Sequence, residues 1–410
     1  MERSTVFAET AVQLKQIERG VAEIFPREDL VSKLEKSRRE NRPLRIKLGI
    51  DPTSSDIHLG HAVPLNKLKH FQDLGHQVVL IIGDYTGMVG DPSGRDATRP
   101  QLTHEAVMQH AQTYLDQVGK VLDRARTEVV YNGDWFSKMS FLDVIRLAAK
   151  ATVARILERD DFLKRYKAGE PISLHEFMYP LMQGHDSVMV RADVEIGGTD
   201  QRFNLLVGRQ FQKDAGQEPQ VALTLPLLVG TDGVQKMSKS YGNYIGISEP
   251  PAVMFGKTMS VPDALLRSYF DLASDLPAEQ VERLLAGDPM KAKLALACAI
   301  VERYHGADAA REAAARFDRE VRHKEAPADV PEVRVPPELL ADGKIWIARL
   351  IVHCGMAAST SEAKRLVEQG AVSMDGQVVT DSGLEVAPHP GFLLKAGKRK
   401  FARVTAQEKK

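Results

Sequence analysis

Cysteine is scarce in this chain, and long apolar runs are absent from it. Its 410 residues contain two cysteines, Cys298 and Cys354, which are too few for a disulfide framework or a zinc site built from thiolates. No apolar run approaches the roughly 20 residues that a membrane-spanning helix needs, and the residues after Met1 do not resemble a secretory signal. Hydrophobic residues make up 43% and charged residues 27%, as in globular domains, and the length suggests two to four of them. We therefore expect a cytoplasmic protein with no membrane partner and no protein-bound metal site.

The chain also has no excess of charge of either sign. Lys and Arg number 55, as do Asp and Glu, so the formal net charge is zero, which argues against a protein that coats nucleic acid. The distribution is uneven, however. Eleven basic and six acidic side chains lie between Lys344 and Lys410, a net charge of about +5 that leaves about −5 for the rest. Basic ends are often merely solvated, but a basic module on a mildly acidic body also suits a protein that holds one particular RNA.

Hydrophobic periodicity near the start predicts a strand, a helix and a second strand. Apolar residues alternate from Leu44 to Ile50, and a helical pattern follows over about residues 60–74, with Pro64 expected in its first turn. The continuous apolar run from Val78 to Ile82 is typical of a buried parallel strand. This order predicts a doubly wound sheet, in which ligands bind beyond the carboxyl ends of the strands. Residues 51–61 fall at such an end.

The rest of the chain divides by composition into further segments. Residues from about 131 to 190 form a predicted helical insertion, and the segment after residue 246 is predicted to be helical alone. Four prolines between residues 324 and 343 indicate a linker. Two short helices and a strand–turn–strand with Asp375-Gly376 at the turn complete the chain. The expected domains are residues 1–246, 247–323 and 344–410, with 324–343 as the linker.

Two short motifs contain residues suited to phosphate chemistry. His58–His61 (His-Leu-Gly-His) lies where the predicted strand gives way to a helix, so two imidazoles and free backbone amides meet at a helix N-terminus. Lys236–Ser240 (Lys-Met-Ser-Lys-Ser) lies in a glycine-flanked loop whose two ammonium groups could close on phosphates. Taken alone, the first could be a capped surface helix or half of a metal site, and the second a solvated basic turn.

Together, in this order, the two motifs resemble the paired motifs of class I aminoacyl-tRNA synthetases. Asp51–Thr53 before the first motif and Gly197–Gln201 between the two strengthen the resemblance. The chain is similar to the bacterial tyrosyl-tRNA synthetase family over nearly all of its length. The resemblance implies an α/β fold with a Rossmann-like doubly wound parallel sheet and a helical insertion, then an α-helical domain and a small C-terminal α+β domain of the alpha-L RNA-binding type.

The resemblance also implies a reaction and its partners. L-tyrosine and ATP, with Mg²⁺, would form tyrosyl-adenylate and pyrophosphate, and the 3′-terminal ribose of tRNA-Tyr would then take the tyrosine. The family forms homodimers, with the dimer contact in the insertion at residues 131–190. No general base is required for activation, because the attacking carboxylate and the leaving pyrophosphate are both already anionic.

Site residues follow from the family's motifs, position by position. The residues implied in catalysis are Thr53, His58, His61, Lys236, Lys239, Arg95 and Arg99. Those implied in ATP binding are Asp51, Gly60, Gly198 and Asp200, with His58, His61 and Lys239. Those implied in tyrosine binding are Tyr179, Gln183, Asp186, Asp91, Gln201 and Lys47. Those implied in RNA binding are Arg349, Lys364 and Arg365.

The amino-acid pocket contains the sharpest of these expectations. Tyr179, Gln183 and Asp186 are spaced i, i+4 and i+7, on one face of a helix, among apolar neighbours that favour burial over an exposed polar face. The resemblance implies that Asp186 accepts a hydrogen bond from the substrate phenol. Lys47 stands where many relatives carry a tyrosine that also contacts the phenol, and it could donate to the phenol oxygen or pair with Asp186. Arg95 stands in place of a lysine.

Three rival interpretations remain at this stage. A tryptophanyl-tRNA synthetase shares the motifs, although it usually lacks the C-terminal module and has no need of Asp186 as an acceptor. A non-catalytic RNA-binding protein on a synthetase scaffold would not need intact His58 or Lys239. An ATP-using nucleotidyltransferase of the same superfamily would not be expected to contain the C-terminal domain and Gly197–Gln201 together.

Overall fold

The chain forms two compact units. The structure, a computed structural model, describes residues 7–52, 56–92, 102–322, 330–389, 392–397 and 400–406. The first unit is Met1–Ala314 and the second is Ala315–Lys410, so the boundary falls within a helix at Ala307–Phe317. No helix within the described ranges is long and apolar enough to cross a membrane.

A six-stranded sheet forms the centre of the first unit. Its strands are β1 (Glu23–Phe25), β2 (Arg45–Ile50), β3 (Gln77–Ile82), β4 (Thr127–Tyr131), β5 (Val194–Gly198) and β6 (Val221–Leu225). They lie in the order β1-β6-β5-β2-β3-β4; β2 to β6 are parallel, and β1 is antiparallel to β6. Residues 78–82 of β3 are fully buried, as expected of a parallel strand covered on both faces. The predicted doubly wound sheet is confirmed.

Helices cover this sheet and continue beyond it. Those up to β6 are α1 (Thr10–Glu18), α2 (Arg27–Glu40), α3 (Leu59–Asp73), α4 (Thr86–Val89), α5 (His104–Val118), α6 (Gly133–Phe136), α7 (Phe141–Ala148), α8 (Val153–Ile156), α9 (Asp160–Ala168), α10 (Leu174–Val190) and α11 (Arg202–Asp214). Those after β6 are α12 (Pro251–Met259), α13 (Leu266–Ala273), α14 (Ala278–Leu285), α15 (Pro289–His305) and α16 (Ala307–Phe317). Short 3₁₀ turns occupy Arg124–Arg126, Thr199–Gln201 and Asp263–Leu265. The helical insertion at 131–190 is therefore α6 to α10.

The position of Pro64 differs from the prediction. Helix α3 begins at Leu59, whose amide donates to the carbonyl of Ile245, so Pro64 is inside the helix and not in its first turn. A proline has no amide hydrogen for the carbonyl four residues earlier, which here belongs to Gly60. Pro180 stands inside α10 in the same way. Both helices border the site described below.

The second unit is a small α+β structure. It contains a π-helical turn (Asp318–Arg322), β7 (Glu332–Val335), a 3₁₀ turn (Pro337–Leu339), β8 (Ile345–Trp346), α17 (Ile347–His353), α18 (Thr360–Glu368), β9 (Val372–Met374), β10 (Gln377–Val379), β11 (Glu385–Val386), β12 (Phe392–Ala396) and β13 (Lys400–Ala406). One sheet has the order β10-β9-β12-β13-β7, and β8 pairs with β11. The predicted turn is present, with positive φ angles of 46° at Asp375 and 85° at Gly376. Strand β7 lies within the range 324–343 that was predicted to be a linker.

Candidate active site

A cavity of about 290 Å³ opens at the carboxyl ends of β2 and β5. These two neighbours are where the strand order of the sheet reverses, which is the place where doubly wound sheets bind ligands. The predicted site residues that line the cavity are Asp51, Gly60, His61, Asp91, Tyr179, Gln183, Asp186, Gly198, Asp200 and Gln201. Thr53, Arg95 and Arg99 lie outside the described residues. Among the described residues, the cavity lining does not include His58, Lys47, Lys236 or Lys239.

The two motif histidines meet at the start of α3. Their rings stack with centroids 3.7 Å apart, and His58, the N-cap residue, is only 4% exposed. Burial, together with the positive charges of His61 and Lys239, lowers the pKa of His58 to about 3, so its ring is neutral near pH 7. A Cβ atom on Gly60 would lie 3.1 Å from the His58 ring, tighter than side chains normally pack. The glycine therefore lets this ring lie against the helix while His61 faces the cavity.

The loop with Lys236 and Lys239 is held by a residue that the sequence did not single out. Asn243 accepts from the amide of Ser238 at 2.8 Å and donates to the Asp232 carboxylate at 2.8 Å. Lys239 Nζ is 3.1 Å from Asp56 Oδ2, whereas Lys236 is exposed. Both ammonium groups thus stand near the cavity without lining it.

Tyr179 is fixed at the floor of the cavity by Asp51. Its hydroxyl donates to Asp51 Oδ2 at 2.8 Å, and Thr86 Oγ1 donates to Asp51 Oδ1 at 2.7 Å. Burial and the nearby carboxylates of Asp51 and Asp91 raise the pKa of Tyr179 well above its usual value. The hydroxyl therefore stays protonated. A Cβ atom on Gly83 would come within 2.0 Å of Asp51 Oδ1, so this carboxylate requires a glycine beside it.

Asp186 is a buried carboxylate with two donors behind it. Trp135 Nε1 donates to its Oδ1 at 3.0 Å and Asn132 Nδ2 to its Oδ2 at 3.2 Å, while the side chain is 4% exposed. Burial raises the pKa of Asp186 to about 7, against the lowering effect of Lys47 and of these two hydrogen bonds. A ligand hydroxyl reaching this end of the cavity would meet an acceptor already aimed by two fixed donors.

From the sequence, Lys47 could donate to the phenol oxygen or pair with Asp186, and in the structure its ion pair is with Glu195 and not with Asp186. Lys47 is fully buried, and its ammonium is 2.8 Å from Glu195 Oε1 and donates to Ser187 Oγ at 2.8 Å and to the Gln183 carbonyl at 3.0 Å. These contacts occupy its three hydrogens. The physical reason is the register of β2 on β5, which pairs Lys47 directly with Glu195, a long-range partner.

The turn after β5 brings Asp200 and Gln201 to the cavity. A Cβ atom on Gly198 would lie 2.5 Å from Asp200 Oδ1, so the glycine gives the carboxylate room to fold against the backbone. Burial and the negative charge of Asp91 raise the pKa of Asp200. Gln201 Nε2 donates to Asp91 Oδ2 at 2.7 Å.

Several residues of the site were missed at the sequence level. Asn132 and Trp135 immediately follow β4, so the rule that ligands meet the carboxyl ends of parallel strands could have found them. Glu195 pairs with Lys47 far along the chain, and Asn204 contacts Arg159 45 residues earlier, so no local pattern marks either residue. The contacts of Asn243 lie within its own loop, but no motif singles it out.

The predicted RNA-binding residues are all on the surface of the second unit. Arg349 lies on α17, and Lys364 and Arg365 lie on α18; each is exposed. Lys364 Nζ is 5.0 Å from the ring centroid of Trp346. Three exposed basic side chains on two neighbouring helices of one small unit offer positive charge to an anionic ligand such as RNA.

Comparison with known proteins places this geometry in context. The family described as tRNA synthetases class I (W and Y) matches residues 39–321, and the S4 domain family matches residues 345–389. The tyrosine–tRNA ligase of Moorella thermoacetica is 53% identical over 402 residues, which cover 97% of this chain and 96% of the relative. That of Symbiobacterium thermophilum is 54% identical, covering 96% and 97%.

Solved structures with the same fold include two tyrosyl-tRNA synthetases. The Archaeoglobus fulgidus enzyme, complexed with L-tyrosine, has a TM-score of 0.61 at 24% identity and covers 75% of this chain and 100% of that chain. A C-terminally truncated mitochondrial enzyme of Aspergillus nidulans has a TM-score of 0.63 at 23% identity and covers 76% and 93%. These likenesses concern the fold.

Proposed function

Because this chain belongs to the tryptophan and tyrosine family of class I tRNA synthetases, we propose that its cavity joins tyrosine to ATP as tyrosyl-adenylate. The chain is an aminoacyl-tRNA synthetase whose amino acid is tyrosine, as are its relatives at about 50% identity over nearly their full length. The observation that best supports the proposed site is that one cavity contains both the motif residue His61 and the buried acceptor Asp186.

The tyrosine end of the cavity supplies acceptors where the substrate supplies donors. Asp186 would accept the phenol hydrogen, and Asp91 and Gln183 would meet the α-ammonium group with the help of the Tyr179 hydroxyl. Gln201 would contact the carboxylate. A tryptophan side chain has a single N–H and no hydroxyl, which favours tyrosine at an end built around a buried carboxylate.

The ATP end would hold the nucleotide close to the backbone. Gly60 admits the adenine ring, Asp200 accepts from the ribose hydroxyls, and His61 meets the phosphates at the N-terminus of α3. Mg²⁺ would arrive with the ATP phosphates. Lys236 and Lys239 would swing from the surface, Lys239 leaving Asp56, and stabilise the charge that develops on pyrophosphate.

Two steps complete the reaction. The tyrosine carboxylate attacks the α-phosphorus in line, and the bond to pyrophosphate breaks. A hydroxyl of the terminal ribose of tRNA then attacks the carbonyl carbon of the adenylate, and AMP leaves, taking the hydroxyl proton on a phosphate oxygen. Arg349, Lys364 and Arg365 of the second unit would bind phosphates of the tRNA.

Amino-acid-dependent exchange between ATP and pyrophosphate tests the assignment. Tyrosine, tryptophan and phenylalanine are each offered alone with magnesium. We expect exchange with tyrosine only, because phenylalanine offers Asp186 no donor and tryptophan offers an indole N–H on a larger ring in place of the phenol hydroxyl. Exchange with tryptophan would overturn the substrate, and no exchange in folded protein would favour RNA binding without catalysis.

A homodimer is the second part of the proposal. The insertion exposes an apolar surface, with Leu174 82%, Phe141 80% and Val153 61% exposed, beside a groove of about 320 Å³ lined almost entirely by apolar side chains. A surface of this kind on a globular unit marks an interaction site, and a second copy of the chain would bury it.

Leu174→Asp should convert the dimer into monomers. A carboxylate buried in an apolar interface lacks a partner. We therefore expect the dissociation constant of the dimer to rise by at least about a hundredfold, as measured by sedimentation equilibrium. Val12→Asp, on an exposed apolar residue of α1 that is 56% exposed, is the matched control and should leave the dimer intact. A Leu174→Asp protein that stays dimeric would contradict this choice of interface.

A further inference from the structure

A buried asparagine stands behind two residues of the cavity wall. Asn204, on α11, is 1% exposed and is not a lining residue of the described wall. Its Nδ2 donates to Gln183 Oε1 at 2.8 Å and to Gln201 Oε1 at 3.0 Å. Its Oδ1 accepts from Arg159 Nη1 at 3.2 Å. One side chain thus joins both glutamines of the amino-acid site.

The side-chain amide of each glutamine also donates a hydrogen bond to a carboxylate. Gln183 Nε2 donates to Glu195 Oε1 at 3.1 Å, and Gln201 Nε2 donates to Asp91 Oδ2 at 2.7 Å. Glu195 is 1% exposed and forms an ion pair with the ammonium of Lys47 at 2.8 Å. The chain of hydrogen bonds therefore begins and ends at carboxylate oxygens.

The direction of every bond in this network is determined by its ends. An ionised carboxylate can only accept, so both glutamines must turn their NH₂ groups to Glu195 and Asp91. Their oxygens then face Asn204, which must donate to both of them from its own NH₂ group. Arg159 can only donate, which agrees with the Asn204 oxygen facing it. No other orientation of the three amides satisfies all five contacts.

We propose that Asn204 is a positioning residue for tyrosine recognition, which it serves by locking the side-chain amides of Gln183 and Gln201 in one orientation. This inference rests on the proposed function of the cavity. The contacts described use one hydrogen and one oxygen lone pair of each glutamine amide. One of each is left in a fixed direction for the ammonium and carboxylate of the amino acid, so neither amide has to reorient when tyrosine binds.

Asn204→Ala removes the hydrogen bonds that orient the two glutamine amides, and Asn204→Asp favours the opposite orientation of both amides. Alanine leaves both amides free to rotate, and we expect about a tenfold rise in the KM for tyrosine, the loss typical of one directed hydrogen bond. Aspartate presents only acceptors to two glutamine oxygens, so the amides must turn and face Glu195 and Asp91 with oxygen. We expect a rise of about a hundredfold there, while the KM for ATP changes less than about twofold in both variants.

Asn66→Asp is the matched control. Asn66 is also a buried helical asparagine, 4% exposed, but it donates to the Leu272 carbonyl away from the cavity. We expect this variant to lower the unfolding temperature without changing the KM for tyrosine. If Asn204→Asp does not fold, Asn204→Ser retains one donor and should show a KM between those of the wild type and Asn204→Ala.

A double-mutant cycle separates positioning from a general structural effect. In a Gln183→Ala background, Asn204→Ala has one amide fewer to orient, so its effect on the KM for tyrosine should fall clearly below tenfold. Variants at Asn204 that lose stability but keep the wild-type KM for tyrosine would overturn the inference alone. A wild-type protein without tyrosine-dependent exchange would instead overturn the proposed function.

Discussion

Asp186→Ala should remove the preference for tyrosine over phenylalanine. In the wild type, phenylalanine leaves a buried carboxylate without the hydroxyl that it needs. Tyrosyl-tRNA synthetases are the reference case for this effect, and the size of about 10⁵ is the established one for those enzymes. Without the carboxylate, we expect the ratio of kcat/KM for the two amino acids to fall to about 10 or less. Pyrophosphate exchange with each amino acid measures this ratio.

Asp186→Asn and a change of pH test the same group more finely. The pKa of Asp186 is raised to about 7, above its usual value of 3.8, so lowering the pH through 7 replaces the ionised acceptor by the neutral acid. In the wild type, kcat/KM for tyrosine should therefore fall by up to about tenfold for each pH unit below 7. The charge of Lys47 lowers this pKa and that of Glu195 raises it. The amide of the Asp186→Asn variant does not titrate, so its profile should lack this limb; retained discrimination in Asp186→Ala would contradict the assigned role.

Lys239→Ala should slow activation without weakening tyrosine binding. Its ammonium stands 3.1 Å from Asp56 and would contact phosphate oxygens as pyrophosphate separates. A donor that acts mainly in the transition state is typically responsible for a factor of about 10² to 10³ in rate. We therefore expect a loss of this size in the single-turnover rate of adenylate formation, with the Kd for tyrosine within about twofold of the wild type.

Lys239→Arg and Asp56→Asn are the controls for this prediction. Arginine retains the positive charge and should recover part of the rate. Asparagine at position 56 removes the resting partner of Lys239, so activation should be no slower than in the wild type. Equal effects of Lys239→Ala on rate and on tyrosine binding would argue that the loop shapes the pocket and does not act on the leaving group.

Local patterns predicted most of the fold. The parallel strands around Val78–Ile82, the helical insertion and the Asp375-Gly376 turn each depend on neighbouring residues, and all three are present. The antiparallel pairing of β1 with β6 joins residues about 200 positions apart, and no local signal records it. Pro64 was misplaced because the contact that starts α3 comes from Ile245, far along the chain.

The candidate site divides in the same way. The residues at strand ends and helix starts were identified because ligands collect at these points in a doubly wound sheet. Spacing did not reveal the link between the two glutamines, because Asn204 contacts Gln201 three residues earlier but reaches Gln183 only through the packing of α11 on α10. Lys47 shows the limit most clearly: its position on β2 was predicted, but its partner depends on the register between β2 and β5.

The Lys47–Glu195 pair has a consequence for how sequences of this kind can diverge. Loss of one member leaves a buried charge without its counterion, which typically costs about 3–5 kcal/mol and is a large part of a domain's stability. Replacement of both by uncharged residues that fit is far less costly. A single change at either position is therefore expected to be selected against, because it destabilises the fold. Descendants should carry either both charges or neither, so the two positions should be inherited as one unit.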